Sequence, residues 1–276
     1  MKFLTTKYSC WFYLDLDMEG VFGEFLLLFS LSMIAALYAS VGHGGASGYL
    51  AVLSLTVYAA NDPSWLKQHA WSLNLLVAGI AFFTFRKSGF FDYKLAVPFL
   101  ITSIPAAVIG GYLRINDDIY DTLLSITLVF AAWKLYTTKS RDSEELFSNP
   151  PPIYVALIVG ALIGLLSGLI GVGGGIFLSP IIILFGWSDP KTTAGIAAIF
   201  IWVNSAAGLI GSSISGQNVI EFDVLIPFAI AVLVGGYFGS KFGSERFSQK
   251  IVQNMLVSVM LIAAIRQILE LIGLWF

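Results

Sequence analysis

Charged residues are scarce in this chain. Only 12% of its 276 residues are Asp, Glu, Lys or Arg, whereas 57% are hydrophobic. A soluble domain usually carries about 25% charged residues, so this chain cannot cover a soluble surface of its size. Its apolar residues also occur in runs close to the length of a membrane-spanning helix, about 20 residues. The sequence therefore predicts an all-α, multi-pass protein of the plasma (inner) membrane.

Cysteine, basic clusters and nucleotide motifs are also lacking. Cys10 is the single cysteine, so no internal disulfide forms, and no CxxC or Cys/His cluster indicates a metal site. The net charge of −2 offers no basic surface for nucleic acid. No GxxxxGK[ST] loop is present, which argues against direct drive by ATP. The sequence therefore predicts no cofactor, no metal and no nucleic-acid partner.

Ten apolar segments can be traced along the chain. They lie at roughly 21–41, 45–60, 66–86, 93–113, 119–136, 152–171, 174–187, 192–215, 223–243 and 249–273. A polar break that ends in three prolines separates the first five from the last five. We therefore predict four parts: an interfacial segment (1–20), a first transmembrane repeat (21–136), a linker (137–151) and a second transmembrane repeat (152–276).

Two glycine turns interrupt the apolar runs at matching places. They are Gly42-His43-Gly44-Gly45-Ala46 and Gly171-Val172-Gly173-Gly174-Gly175, and a short apolar helix is predicted after each. Glycine permits a sharp turn and close backbone approach. The first N–H groups of the next helix have no intrahelical partner and form a natural anion site. The two turns therefore predict a site for a small anion.

Further matching residues indicate that the two halves of the sequence are copies of one unit. The matching pairs are Asp62-Pro63 with Asp189-Pro190, Asn74 with Asn204, Pro98 with Pro227, and Gly110-Gly111-Tyr112 with Gly235-Gly236-Tyr237. These pairs predict a duplicated unit of about five segments, each containing a short broken helix after its glycine turn. Because an odd number of crossings reverses the chain, the second repeat is predicted to be inverted relative to the first.

Positive charges predict the orientation. If all ten segments cross, ten Lys and Arg residues lie on the side of the linker and only four on the other side. The positive-inside rule then places the linker in the cytoplasm and both termini outside. This bias would nearly vanish if the short segments 45–60 and 174–187 only entered the membrane and returned to the same side.

The paired turns resemble those of the TauE/SafE family. The resemblance rests on the motifs GHGGASG at 42–48 and GLIGVGGGIFLSPIII at 168–183, together with Asn74 and the repeated Asp-Pro and Gly-Gly-Tyr pairs. The resemblance covers residues 22–270. It implies a permease that exports sulfite or an organosulfonate by alternating access between two inverted repeats. The first turn departs from the second by having His43 and Ala46 where the second has Val172 and Gly175.

The candidate substrate-binding residues follow from the turns and from polar groups at membrane depth. An ionisable or amide side chain inside a span is a functional candidate, although an interhelical hydrogen bond is the alternative. His43 could also carry a coupled proton. The set consists of Gly42, His43, Gly44, Gly45, Ser47, Asn74, Gly171, Gly173, Gly174, Gly175 and Asn204. No catalytic and no metal-binding residues are predicted.

Several alternatives stay open at this stage. The transported anion could be thiosulfate or a carboxylate, and transport could be uptake. The assembly could be a homodimer. Gly45-Ala46-Ser47-Gly48 spells GxSG, as around the serine of rhomboid intramembrane proteases, but a protease also needs a base within reach of Ser47. A passive membrane scaffold would leave the matched polar groups unexplained.

Overall fold

The computed structural model describes residues 21–53, 56–113, 150–255 and 258, and its regular elements are all helices. The α-helices are α1 (Val21–Ala39), α2 (Ala46–Leu53), α3 (Pro63–Lys87), α4 (Tyr93–Tyr112), α5 (Ile153–Ile170), α6 (Gly175–Leu184), α7 (Pro190–Ile214) and α8 (Phe222–Lys241). A 3-10 turn at Val57–Ala60 precedes α3, a π turn at Phe242–Arg246 follows α8, and residues 249–255 are helical. The all-α prediction is confirmed.

Several predicted parts lie outside the described residues. They are the interfacial segment 1–20, the span 119–136, most of the linker 137–151, and the last span 249–273 beyond its first turns. The name "first unit" is used below for α1 to α4, and "second unit" for α5 to α8.

The helices differ in their ability to cross a membrane. Within the described residues, α1, α4, α5, α7 and α8 are long and apolar enough. Helix α2 has 8 residues and α6 has 10, which correspond to about 12 and 15 Å. This is half of a hydrocarbon core of about 30 Å. The prediction that segments 45–60 and 174–187 each cross as a single span is therefore wrong.

The apolar composition of the short helices has another cause. Ile176, Phe177 and Leu178 of α6 are buried among other side chains of the protein, as are Tyr49 and Leu50 of α2. Hydropathy alone does not distinguish a helix surrounded by protein from one surrounded by lipid.

Each short helix returns along the helix before it. In the first unit, Tyr38 Oη of α1 lies 3.0 Å from Ser47 Oγ of α2, and Leu53 shares a core cluster with Leu27. In the second unit, a Cβ atom placed on Gly174, before α6, would lie 3.0 Å from the Ile163 side chain of α5. Trp187, which follows α6, packs on Phe99 at a ring-centroid distance of 6.0 Å, and Phe99 lies beside Gly160, nearer the start of α5. The chain therefore forms two helical hairpins, α1–α2 and α5–α6, with a glycine turn at each tip.

Rows of small residues join the two units by close backbone contact. Cβ atoms placed on glycines of α8 and the turn after it would meet carbonyl oxygens of α1 and its C-terminal turn at 1.9 to 2.0 Å, in the pairs Gly235–Ser32, Gly239–Ala36 and Gly243–Ser40. Equivalent contacts at 2.3 Å join α5 to α4, in the pairs Gly160–Phe99, Gly164–Ser103 and Gly168–Ala107. Residue numbers rise together in both rows, so α1 runs parallel to α8, and α5 runs parallel to α4. Such small-residue faces are typical of helix pairs in membranes.

The central helices α3 and α7 complete the arrangement. Val77 and Thr84 of α3 face Gly236 and Ser240 of α8, which makes α3 parallel to α8. Gly195 and Gly211 of α7 meet the carbonyl oxygens of Phe90 and Val108, which makes α7 parallel to α4. Helices α1, α3 and α8 therefore start at one face of the molecule, and α4, α5 and α7 start at the opposite face.

Candidate functional site

The tips of the two hairpins each cross onto the central helix of the other unit. A Cβ atom on Gly42 would lie 2.0 Å from the carbonyl oxygen of Ala194 in α7, and one on Gly171 would lie 2.8 Å from Cγ of Lys67 in α3. Both glycines also have positive φ, so only glycine suits these positions. The two contacts are equivalent, because Lys67 and Ala194 each stand five residues after the aspartate that caps its helix.

Asn74 caps the N-terminus of α2 from the middle of α3. It is the twelfth residue of a 25-residue helix and is fully buried. Its Oδ1 atom accepts a hydrogen bond of 3.0 Å from Ala46 N, and a Cβ atom on Gly44 would lie 2.2 Å from the same oxygen. A side-chain oxygen in this place satisfies one of the N–H groups that a helix start leaves without a partner.

The same amide also contacts the second glycine turn. Asn74 Nδ2 lies 3.5 Å from Val172 O and 3.5 Å from Ser205 Oγ. Because Ala46 N is a donor, the amide oxygen must face α2 and the NH₂ group must face the second turn. Both contacts of Nδ2 are long for hydrogen bonds, so Asn74 binds the first turn firmly and the second weakly.

The equivalent position in the second unit is apolar. Asn74 follows the capping Asp62 by twelve residues, and Ile201 follows the capping Asp189 by twelve. The Ile201 side chain packs against the start of α6, where a Cβ atom on Gly175 would lie 2.4 Å from its Cδ1 atom. Within the described residues, no side chain accepts a hydrogen bond at the start of α6.

Asn204 lies one helical turn further along α7 than the position that matches Asn74. Its Nδ2 atom donates to Phe200 O of its own helix at 2.9 Å, and it stands fifteen residues after Asp189. Counted from the capping aspartates, its counterpart in α3 is Val77. The two asparagines are therefore out of register, and the structure brings only Asn74 into hydrogen-bond contact with the turns.

His43 links the first turn to α6. Its Nδ1 atom lies 2.9 Å from Val41 O, and its Nε2 atom lies 3.5 Å from Ser179 Oγ of α6. One imidazole thus connects the first glycine turn to α6, and one amide, that of Asn74 in the middle of α3, connects it to the second glycine turn.

A small cavity lies where the turns meet. Its volume is about 10 Å³, space for one water-sized sphere. Its lining consists of Tyr38, His43, Gly44, Gly45, Ala46, Ser47, Val172, Ile176 and Ile201. Residues from both turns therefore line one void, which is too small for a sulfur oxyanion in this conformation.

Ser47 has a neighbour that does not suit a nucleophile. Its Oγ atom lies 3.0 Å from Tyr38 Oη, whereas His43 makes the contacts given above. His69 Nδ1 lies 2.8 Å from Trp65 O, and His69 Nε2 accepts a hydrogen bond from Glu221 N at 3.3 Å. Both histidines are thus engaged with groups other than Ser47.

Two residues at the second turn were missed by the sequence reasoning. Ser167 is fully buried, its Oγ atom has no partner within the described residues, and its Cβ lies 3.2 Å from where a Gly174 Cβ would be. Lys67 has only 8% of its surface exposed. The signal for Lys67 was its place five residues after Asp62, where the second unit has Ala194; a serine inside an apolar span gave no signal.

These features define a class of membrane protein. Two half-length helices, each following a glycine turn, begin near the middle of two long central helices. Irregular backbone at membrane depth is tolerated only inside protein or beside a cavity. Broken helices of this kind surround the solute site in many secondary transporters.

Comparison with known proteins identifies the family. Residues 21–267 match the family model described as Sulfite exporter TauE/SafE. The chain therefore belongs to the TauE/SafE family of membrane transporters, as its glycine motifs indicated.

Curated relatives agree with this assignment. A protein of Sinorhizobium fredii is 34% identical over 242 residues, covering 87% of this chain and 96% of the relative. One of Methanocaldococcus jannaschii is 26% identical over 255 residues, covering 86% and 94%. One of Bacillus subtilis is 27% identical over 192 residues, covering 63% and 68%. Each is described as a probable membrane transporter protein. No solved structure matches the chain.

Proposed function

We propose that this protein is a secondary transporter that exports a small sulfur oxyanion, such as sulfite or an organosulfonate. One observation carries the proposal: the N-termini of α2 and α6 meet beside the middle of α3 and α7. A helix N-terminus bears about half a positive charge and presents N–H groups without intrahelical partners. Family membership supplies the substrate class, and this geometry supplies a reason for it.

Helix directions support two repeats that are inverted relative to each other. Hairpin α1–α2 starts and ends at the face where α3 starts, and hairpin α5–α6 starts and ends at the face where α7 starts. Because each hairpin returns to its own face, replacing two crossings by one hairpin leaves the predicted sidedness of every charge unchanged. The bias of basic residues towards one face is therefore kept, although the short segments do not span.

The described basic residues support the orientation. Those at the face where α4, α5 and α7 start are Arg86, Lys87, Lys94, Lys191, Lys241, Arg246 and Lys250, whereas Lys67 is near the other face. By the positive-inside rule the richer face is cytoplasmic. In the plasma membrane an inside-negative potential then favours anion export, by about 2.3 kcal/mol per charge per 100 mV.

The size of the cavity supports alternating access. The void between the turns is about 10 Å³, so a sulfur oxyanion enters only when the turns move apart. Long contacts of Asn74 Nδ2 and of His43 Nε2, each 3.5 Å, are the ones that such a movement would break.

The test is anion flux in proteoliposomes. Vesicles containing the purified protein are loaded with sulfite, methanesulfonate, thiosulfate or acetate, and efflux is followed under an imposed inside-negative potential. We expect sulfite or methanesulfonate efflux well above that of protein-free vesicles. Flux of acetate alone would show that the substrate is a carboxylate rather than a sulfur oxyanion. Absence of flux for every anion, with Ser47-dependent cleavage of a membrane-anchored peptide, would overturn the proposal in favour of a protease.

A further inference from the structure

The N-termini of the two short helices differ in how they are satisfied. Helix α2 has an acceptor supplied by the protein, because Asn74 Oδ1 takes the N–H of Ala46 at 3.0 Å. At α6 the matching residue is Ile201, and the N-cap residue Gly174 has no side chain that could accept. Among the described residues, therefore, no side chain accepts a hydrogen bond from the first turn of α6.

We propose that the transported anion binds at the N-terminus of α6, while the N-terminus of α2 serves as a structural counterpart that Asn74 keeps filled. This inference rests on the function proposed above and assigns that function to one of the two turns. At α2 the amide oxygen of Asn74 occupies the place that an oxygen of the anion would take. At α6 the anion supplies the missing oxygen.

Polar groups around the second turn fit this assignment. Ser167 is fully buried, its Cβ atom lies 3.2 Å from where a Cβ atom on Gly174 would be, and its hydroxyl has no partner among the described residues. Burying a hydroxyl without a hydrogen bond is costly, so a ligand oxygen at this place would remove a cost that the protein alone retains. This is an observation independent of the helix end itself.

Two further residues, Asn74 and Lys67, lie against the second turn. Asn74 Nδ2 would lie 2.9 Å from a Cβ atom on Gly173, and its hydrogen bonds there are long enough to be exchanged for a better acceptor. The Lys67 side chain crosses Gly171 at its Cγ atom, with the ammonium group three bonds further on. Its counterpart Ala194 brings no charge to the first turn. The second turn therefore combines N–H donors, a hydroxyl and a nearby cation, which is the donor set that an oxyanion requires.

The sharpest test gives α6 the same internal acceptor that α2 has. Ile201→Asn places an amide at the position that matches Asn74, and its oxygen should compete with the anion for the start of α6. We expect binding of methanesulfonate and sulfite, measured by calorimetry on the purified protein, to weaken by about tenfold or more. The thermal midpoint should not fall. Ile214→Asn is the control, because the same change at the exposed end of the same helix, where Ile214 is 66% exposed, should leave affinity unchanged.

A second variant keeps the inference testable if Ile201→Asn does not fold. Ser167→Ala removes the unpartnered hydroxyl and should weaken binding by about fivefold without loss of stability. Its control is Ser103→Ala, an equally buried serine whose hydroxyl donates to Leu100 O of its own helix. A purely structural role for Ser167 would change the thermal midpoint and leave affinity alone.

The outcomes separate the two proposals. If the wild-type protein binds neither anion and transports none, the proposed function fails. If the wild-type protein binds and Ser167→Ala, with any folded Ile201→Asn, binds equally well, the function stands and the assignment to α6 is overturned. Weaker binding in these variants with unchanged controls supports the assignment.

Discussion

The first and second glycine turns have similar backbones but different surroundings. Both have positive-φ glycines, both lie at the tip of a hairpin, and both touch the central helix of the other unit at the same register. Their side-chain neighbours differ at three matched pairs: His43 and Val172, Ser47 and Ile176, Asn74 and Ile201. Polar side chains complete the first turn from within the protein, whereas beside the second turn the Ser167 hydroxyl has no partner among the described residues. A duplicated unit has thus become one structural turn and one turn suited to a ligand.

The largest effect is expected from adding a branched side chain to a turn. Gly173 has a φ of +78° and would direct a Cβ atom to 2.8 Å from Ile201 and 3.1 Å from Ser205 Oγ. Gly173→Val should therefore abolish sulfite flux in proteoliposomes. Gly44→Val should also abolish it, and should lower the thermal midpoint as well, because the new Cβ atom would displace the Asn74 amide from α2.

A control separates backbone strain from the filling of the site. Gly216 also has a positive φ, +76°, but nothing lies within 4 Å of a Cβ atom placed on it. Gly216→Val carries the strain of positive φ without touching either turn, so flux should be retained. If Gly173→Val retains as much flux as an active Gly216→Val, the second turn has no role at the site.

The second prediction compares the two asparagines. Asn74→Ala leaves the buried N–H of Ala46 without its acceptor, which should lower the free energy of unfolding by about 1–3 kcal/mol and reduce flux. Asn204→Ala removes a bond within one helix together with a buried Oδ1 atom that has no partner among the described residues. It should change stability by less than about 1 kcal/mol.

Stability in detergent by denaturant titration and flux in vesicles would measure both variants. A greater loss of stability and flux in Asn204→Ala than in Asn74→Ala would contradict the alignment of α3 with α7 that counts from their capping aspartates.

The smallest effect is expected at Ser47. Its hydroxyl bonds to Tyr38, and the matching residue of the second unit, Ile176, has no hydroxyl at all. Ser47→Ala should cost about 1 kcal/mol of stability and retain most of the flux. Loss of all flux, or of any peptide cleavage present in the wild-type protein, would return Ser47 to the centre of the mechanism.

Local chemistry explains what the sequence predicted well. Glycine clusters predict turns because other residues resist positive φ, and positive φ is found at Gly42, Gly45, Gly171, Gly173 and Gly174. The Asp-Pro pairs predict helix starts, and Asp62 and Asp189 do accept hydrogen bonds from the first turns of α3 and α7. Apolar runs of sufficient length predicted the spanning helices.

Tertiary contacts explain what the sequence did not predict. The short apolar segments predict membrane spans because burial in protein and burial in lipid favour the same apolar residues. The sequence makes Asn74 and Asn204 look equivalent because both follow an Asp-Pro pair at a similar distance. Their shift of one helical turn is visible only in the structure, where Asn74 contacts Ala46 N and Ile201 occupies the position that matches Asn74. The buried position of Lys67 depends on Gly171, which is distant in the chain.

The rows of glycine contacts also constrain how the protein is made. Helix α1 leaves the ribosome well before the backbone surface that fits it, because that surface belongs to α8, about two hundred residues later. Until α8 is inserted, the carbonyl oxygens of Ser32 and Ala36 face lipid or a temporary neighbour. Helix α4 depends in the same way on α5. Neither unit can therefore complete its packing alone, and the two halves reach their final form together during biosynthesis.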